Sequence, residues 1–198
     1  MPRKPNTEAR VRILNAACKL FHKDGFKGVS MDDIARASKL KKANLFHYYP
    51  SKEAMGLAVL EYTTESLRAK NLDQYRDAGD PAKLVEKIFG DSIRRMKENN
   101  CCKGCFMGNL AQELSDHSEK LRSKLAEYFE FWSATLAEAL ERAKSRGSFR
   151  KQFNSREAAD AILAALEGAT LFSKTNRKVA SLENARKMVL SYLKSYAA

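Results

Sequence analysis

Apolar residues return at three- and four-residue steps along nearly the whole chain, and no stretch alternates with the period of two that a half-buried strand requires. Val11, Leu14, Ala17, Cys18 and Phe21 form one such stripe. It predicts a helix over residues 7–24 with a single buried face, ended by Gly25. Ser30 is suited to cap the next helix, with Asp32 and Asp33 at the positive end of its dipole and Met31, Ile34 and Ala35 on its apolar side. Residues 37–40 break that pattern after about two turns. A short helix over residues 41–48 then turns Leu45 and Phe46 inward and leaves Lys42, Asn44, His47 and Tyr48 facing out. Pro50 stops it, because the residue before a proline leaves the helical region. Ser51 caps a helix to about residue 74 that is apolar on more than one side of its first half, as a helix shared by two packing surfaces would be.

Downstream, residues 77–81 read as a loop, and helices are predicted over 81–99, 105–115, 118–146, 156–174 and 182–196. Leu121, Leu125, Phe129, Trp132, Leu136, Leu140 and Ala143 make the clearest stripe. Helix 156–174 has two apolar faces, one with Ala158, Ile162, Ala165, Ala169 and Phe172, the other with Ala159, Leu163 and Leu166. A helix with two such faces needs cover on both, and a second copy of the chain supplies it for one: the two C-terminal helices are the expected homodimer surface. The chain therefore reads as all-α, a three-helix bundle with a helix-turn-helix followed by a larger helical domain, divided at residues 1–52 and 53–198.

Charge sharpens this picture. The net charge is +12, and residues 1–52 hold twelve Lys and Arg against four Asp and Glu. A basic end that coincides with a helix-turn-helix points to double-stranded DNA. A second helix that exposes lysine, asparagine, histidine and tyrosine suits the major groove: Asn bonds adenine, Lys donates to guanine, and His or Tyr reaches a base edge or a phosphate. The expected groove contacts are Lys42, Asn44, His47 and Tyr48, with Ser30 and Lys52 at phosphates and a basic arm at residues 2–6 alongside. The chain has no apolar run of 18 residues and no secretion-signal core at its start, so a cytoplasmic protein without a membrane partner is expected.

Leu45-Phe46-His47-Tyr48-Tyr49-Pro50-Ser51-Lys52-Glu53-Ala54, with the preceding residues 26–35, resembles the helix-turn-helix of the tetracycline-repressor (TetR) family of bacterial transcription regulators. The resemblance covers roughly the first 60 residues, and beyond them only length and helical layout are similar. His47 departs from the tyrosine more common in the family. The resemblance implies a dimeric repressor released by a small-molecule effector, and it places Met31 where similar proteins approach DNA. It also favours an effector cavity lined by Phe89, Met96, Phe106, Met107, Phe129, Trp132 and Phe172, with Asn109, Gln112 and Glu113 as orienting polar groups.

Cys101, Cys102 and Cys105 lie within five residues beside Lys103, a composition that suits a redox or electrophile switch. No zinc spacing supplies a further ligand, and a loop with incidental cysteines is the simpler expectation. Cys18, on the predicted buried face, reads as a small apolar residue. Phosphate-loop, zinc-protease and nucleophile-elbow motifs are lacking, so neither an enzyme, a cofactor nor a metal is expected. Beside a ligand-responsive regulator stand three other readings: a thiol-responsive regulator, a sequence-nonspecific architectural DNA-binding protein and a small helical thiol enzyme.

Overall fold

Nine α-helices form among the residues that the computed structural model describes, which are 7–76 and 79–198 apart from the side chains of 67 and 69–76. The expected basic arm at residues 2–6, and Asp77 and Ala78 of the expected loop, lie outside the described residues. The helices are α1 (Thr7–Gly28), α2 (Met31–Ala37), α3 (Lys42–Tyr48), α4 (Lys52–Arg76), α5 (Pro81–Glu98), α6 (Phe106–Leu114), α7 (Glu119–Ser145), α8 (Ser155–Asn176) and α9 (Ala180–Ser195). They form two compact units. One comprises Met1–Ser66 with Phe106–Ala126, the other Leu67–Cys105 with Glu127–Ala198.

The first unit is built on Ile13, Ala17 and Phe21 of α1, Ile34 of α2, Leu45 of α3, and Met55 and Val59 of α4, all buried in one cluster. Burial of each large side chain contributes about 1.5–3 kcal/mol, which is what holds helices as short as α2 and α3 in place. Gly25 interrupts α1 at φ 77, ψ 164, a region that a side-chain-bearing residue rarely enters. Two expected core residues lie elsewhere. Val11 is 39% exposed and lines an open groove of about 820 Å³. Phe46 is 37% exposed, because α3 turns only Leu45 fully inward and Tyr49 at its end completes that contact. Cys18 is half-buried, and its burial pushes the thiol above the ordinary cysteine pKa against an opposing contact with Thr63.

The second unit packs Val85, Phe89 and Met96 of α5 with Leu136 and Leu140 of α7, Ala158 and Ile162 of α8, and Leu182, Val189 and Leu193 of α9. Asp80 accepts from the Ala82 N–H to start α5 at Pro81, and Asn154 accepts from Arg156 and Glu157 to start α8. Phe149 stacks on Phe153 at 4.0 Å, beside an antiparallel bridge between Phe149 and Ala197. On α7 the expected Leu121, Leu125, Leu136, Leu140 and Ala143 are buried, but Tyr128 takes the buried place expected of Phe129, which is half-buried.

Candidate nucleic-acid interface

The α2–α3 segment owes its geometry to local hydrogen bonds. The Ser30 hydroxyl accepts from the Asp33 N–H while the Asp33 carboxylate accepts from the Ser30 N–H and hydroxyl, a reciprocal capping box. These Ser30 bonds, with Arg36 adding to them, hold the Asp33 carboxyl below the usual carboxylate range. At the other end the buried Ser38 hydroxyl donates back to Ile34 and Ala35, Leu40 N–H donates to the Ala35 carbonyl, and Lys39 takes φ 56. Arg12 Nε donates to the Ser38 carbonyl at 3.0 Å and ties the turn to α1. The turn between α2 and α3 is thus held by main-chain and side-chain bonds on both sides.

On this base α3 presents the expected residues as one set. Lys42, Asn44 and His47 are exposed, Tyr48 is half-buried, and the His47 and Tyr48 rings meet edge-on at 6.1 Å. Lys42 Nζ stands 2.9 Å from Asp32 Oδ2, an exposed ion pair that bridges the two helices. Sequence reasoning used Asp32 only for the helix dipole and missed this second role, because the pair spans ten residues across a turn. Met31 is 8% exposed, with its side chain in the core of the first unit, so its thioether is not on the outer surface of α2.

Lys52 has a structural setting that the sequence did not announce. Its ammonium donates to the Lys27 carbonyl at 3.2 Å and lies 4.8 Å from the centre of the Phe26 ring. Partial burial draws its pKa below the lysine range, with the Glu113 charge acting against that shift. Glu113, expected to orient a ligand, instead accepts from the backbone N–H groups of Phe26 at 2.8 Å and Lys27 at 2.6 Å.

The expected cavity residues are divided between the two units and differ in exposure. Phe89 and Met96 are buried in the core of the second unit, Met107 is buried, and Phe106 packs in the first unit with His22 at 5.3 Å. Phe172 is 61% exposed, because α8 turns it away from α5 and α9. Phe129, Trp132 and Asn109 are half-buried. Glu167 stands out in sequence as a charge within an apolar helix, expected at a solvent edge or at the pairing surface; instead it accepts a hydrogen bond from Cys105, and burial raises its carboxyl above the ordinary range. Gln112 is exposed and bonds its own helix at the Gly108 carbonyl. Of the loop cysteines Cys101 is buried, with its carbonyl taking a bond from Arg177, Cys102 is exposed and Cys105 half-buried. No group of three potential metal ligands occurs among the described residues.

Comparison with known proteins matches both parts of the chain, although residues 106–126 fall within the C-terminal match and pack in the first unit. Residues 13–59 match the model of bacterial regulatory proteins of the tetR family, and residues 81–189 match a tetracyclin repressor-like C-terminal domain. The chain is 27% identical over 172 residues to the HTH-type transcriptional repressor DhaR of Mycobacterium sp. (strain GP1), covering 86% of this chain and 85% of that one. It is 30% identical over 178 residues to an uncharacterized HTH-type transcriptional regulator of Lactococcus lactis subsp. lactis, covering 87% of each. Among solved structures, reduced Escherichia coli NemR superposes with a TM-score of 0.84 at 25% identity, over 96% of this chain and 97% of that one.

Proposed function

Since this chain belongs to the tetracycline-repressor family and is a DNA-binding transcription regulator, we propose that it is a repressor that grips a near-palindromic operator as a homodimer and leaves it when a small molecule binds its second unit. The observation that carries the DNA reading is α3 itself: a helix anchored by Leu45 whose opposite side offers Lys42, Asn44 and His47, with Tyr48 at its edge. Asn44 has the paired donor and acceptor to read adenine, Lys42 and Tyr48 reach guanine or phosphate, and His47 serves either. Ser30 and Lys52, at the starts of α2 and α4, are the proposed phosphate contacts. Two copies of α3 about 34–36 Å apart enter successive major grooves.

Homodimer formation is supported by large apolar side chains left in water on α8 and α9. Phe172 is 61% exposed, Met188 57% and Leu171 42%. Exposed large apolar side chains on these two helices suit burial against a second copy across a two-fold axis. Phe172→Glu is expected to convert the protein to monomers at micromolar concentration in sedimentation equilibrium while its circular dichroism stays unchanged. A dimer that persists in this variant would move the interface elsewhere.

The effector reading places a small molecule near Trp132 and Phe129, with Tyr128, Cys105 and Glu167 as polar groups. Ligand binding releases DNA only if the ligand prefers the conformer that DNA does not. Footprinting of fragments flanking the gene, repeated with candidate small molecules, tests the whole reading; a protein that protects random and flanking duplex alike would overturn it. That outcome belongs to the architectural alternative, which family membership does not favour. The thiol-enzyme alternative is not favoured either, since the family and the relatives are regulators; for a thiol-responsive regulator the loop leaves only Cys102 exposed, with Cys101 buried and Cys105 half-buried. A cytoplasmic site of action is part of this proposal, because a regulator of this family must reach DNA; separately, among the described residues no helix is long and apolar enough to cross a membrane.

The Asp32–Lys42 pair makes a separate prediction. Asp32→Asn frees the Lys42 ammonium and removes a negative charge from the surface facing phosphates. Affinity for random duplex is expected to rise a few-fold at low salt, with the slope of log affinity against log salt steeper by about 0.9 per added phosphate contact. Unchanged or weaker random binding, measured by salt titration of fluorescence anisotropy, would mean that the pair only braces α2 against α3.

A further inference from the structure

Residues 106–126 belong to the first unit although both ends of this segment come from chain that lies in the second. The segment meets the DNA-binding helices at three places. Glu113 on α6 places one carboxylate oxygen on the Phe26 N–H and the other on the Lys27 N–H. Ser118 donates to Glu53 at 2.8 Å, with Lys120 3.6 Å from the same carboxylate, at the start of α4. Leu121 and the Phe26 ring close over Gly56, where an added Cβ would lie 2.8 Å from the ring and 3.1 Å from Leu121.

The first of these contacts is the one that governs direction. Gly25 breaks α1, so the amides that follow it are freed from the helix and point together at one acceptor. A Cβ at Gly25 would stand 3.1 Å from Glu113 Oε2, so the carboxylate is closed over the break itself. Lys52 also holds this turn, bonding the Lys27 carbonyl at 3.2 Å and lying over the Phe26 ring. Three residues beyond Lys27, Ser30 begins α2, and α3 follows from the fixed α2 turn. Whatever sets the Phe26–Lys27 amides therefore sets the origin of the helix-turn-helix.

We infer that Glu113 is a positioning residue: its carboxylate, carried by α6, aims the reading helix, and making or breaking its two hydrogen bonds is how the second unit alters DNA affinity. This rests on the regulator reading above. A two-pronged, charge-assisted acceptor is directional, so its loss changes the aim of α3 before it changes the packing around Leu45.

The test uses the full-length dimer, with an operator selected from a randomised duplex pool by the wild-type protein. Wild type, Glu113→Gln and Glu113→Ala are compared on that operator, on versions with one base pair added or removed between half-sites, and on a single half-site. One base pair is about a tenth of a helical turn, enough to misplace the second α3. Wild type is expected to prefer the selected spacing by at least roughly ten-fold, and Glu113→Ala to flatten that preference while binding the half-site within about two-fold of wild type. Glu113→Gln, which keeps one acceptor oxygen, falls between them and covers the case in which the alanine variant does not fold. Wild-type spacing preference in the folded variants would overturn the inference, as would a parallel loss on half-site and full operator, which marks a merely structural role. If the wild-type protein selects no dyad, the regulator reading fails instead, and that result is distinct from either.

Discussion

Asn44→Ala is expected to abolish operator recognition while leaving the protein folded. Asn44 is exposed on α3, between the anchor Leu45 and the ion-paired Lys42, and lies outside the buried core. A bidentate contact to adenine is worth about 1–3 kcal/mol of discrimination. The dimer makes it twice, so the loss is about 2–6 kcal/mol, or roughly 30-fold to 20,000-fold in affinity. Asparagine carries no charge, so binding to random duplex at low salt should change little. Tyr48→Ala is a poorer probe, because Tyr48 is half-buried against the core and its removal also loosens α3. Anisotropy titrations on operator and random duplex separate these effects, and equal operator affinity of wild type and Asn44→Ala would remove Asn44 from the interface.

Leu45→Ala should cause the second large effect, this time through stability. The seven-residue α3 has no side-chain N-cap and no acidic residue in its first turn, while Lys41 and Lys42 sit at the positive end of its dipole. Such a helix is unstable by itself and depends on tertiary contact. Leu45 is fully buried and supplies most of that contact. Its truncation is expected to cost about 2–5 kcal/mol, a large part of a domain stability of about 5–15 kcal/mol. The sole tryptophan, Trp132, lies in the second unit, so its fluorescence follows that unit, whereas circular dichroism follows all helices. In denaturant, part of the helical signal should be lost early while the Trp132 transition keeps its midpoint. Coincident and unshifted transitions would show that α3 does not hang on Leu45.

These two residues mark how far local pattern reaches. Caps, glycine breaks and proline stops lie within a few residues of what they control, so the helix boundaries at Ser30, Pro50 and Pro81 and the outward set on α3 were legible from the chain alone. Periodicity also located Leu45 and Ile34, because a short amphipathic helix has one direction in which to bury its apolar side. It misplaced Phe46, Val11 and Phe172, since an apolar residue at the edge of a stripe is covered only if a distant element reaches it. Glu113 and Lys52 are the sharper cases. Their partners lie 86 or 87 and 25 residues away, and nothing in their own neighbourhoods names an N–H or a carbonyl. Sequence alone determined that an all-helical chain carries a basic helix-turn-helix with a readable face. Only the tertiary structure decided what holds and aims that face, because a carboxylate or an ammonium takes whichever unsatisfied backbone group the packing of remote helices brings within 3 Å or so.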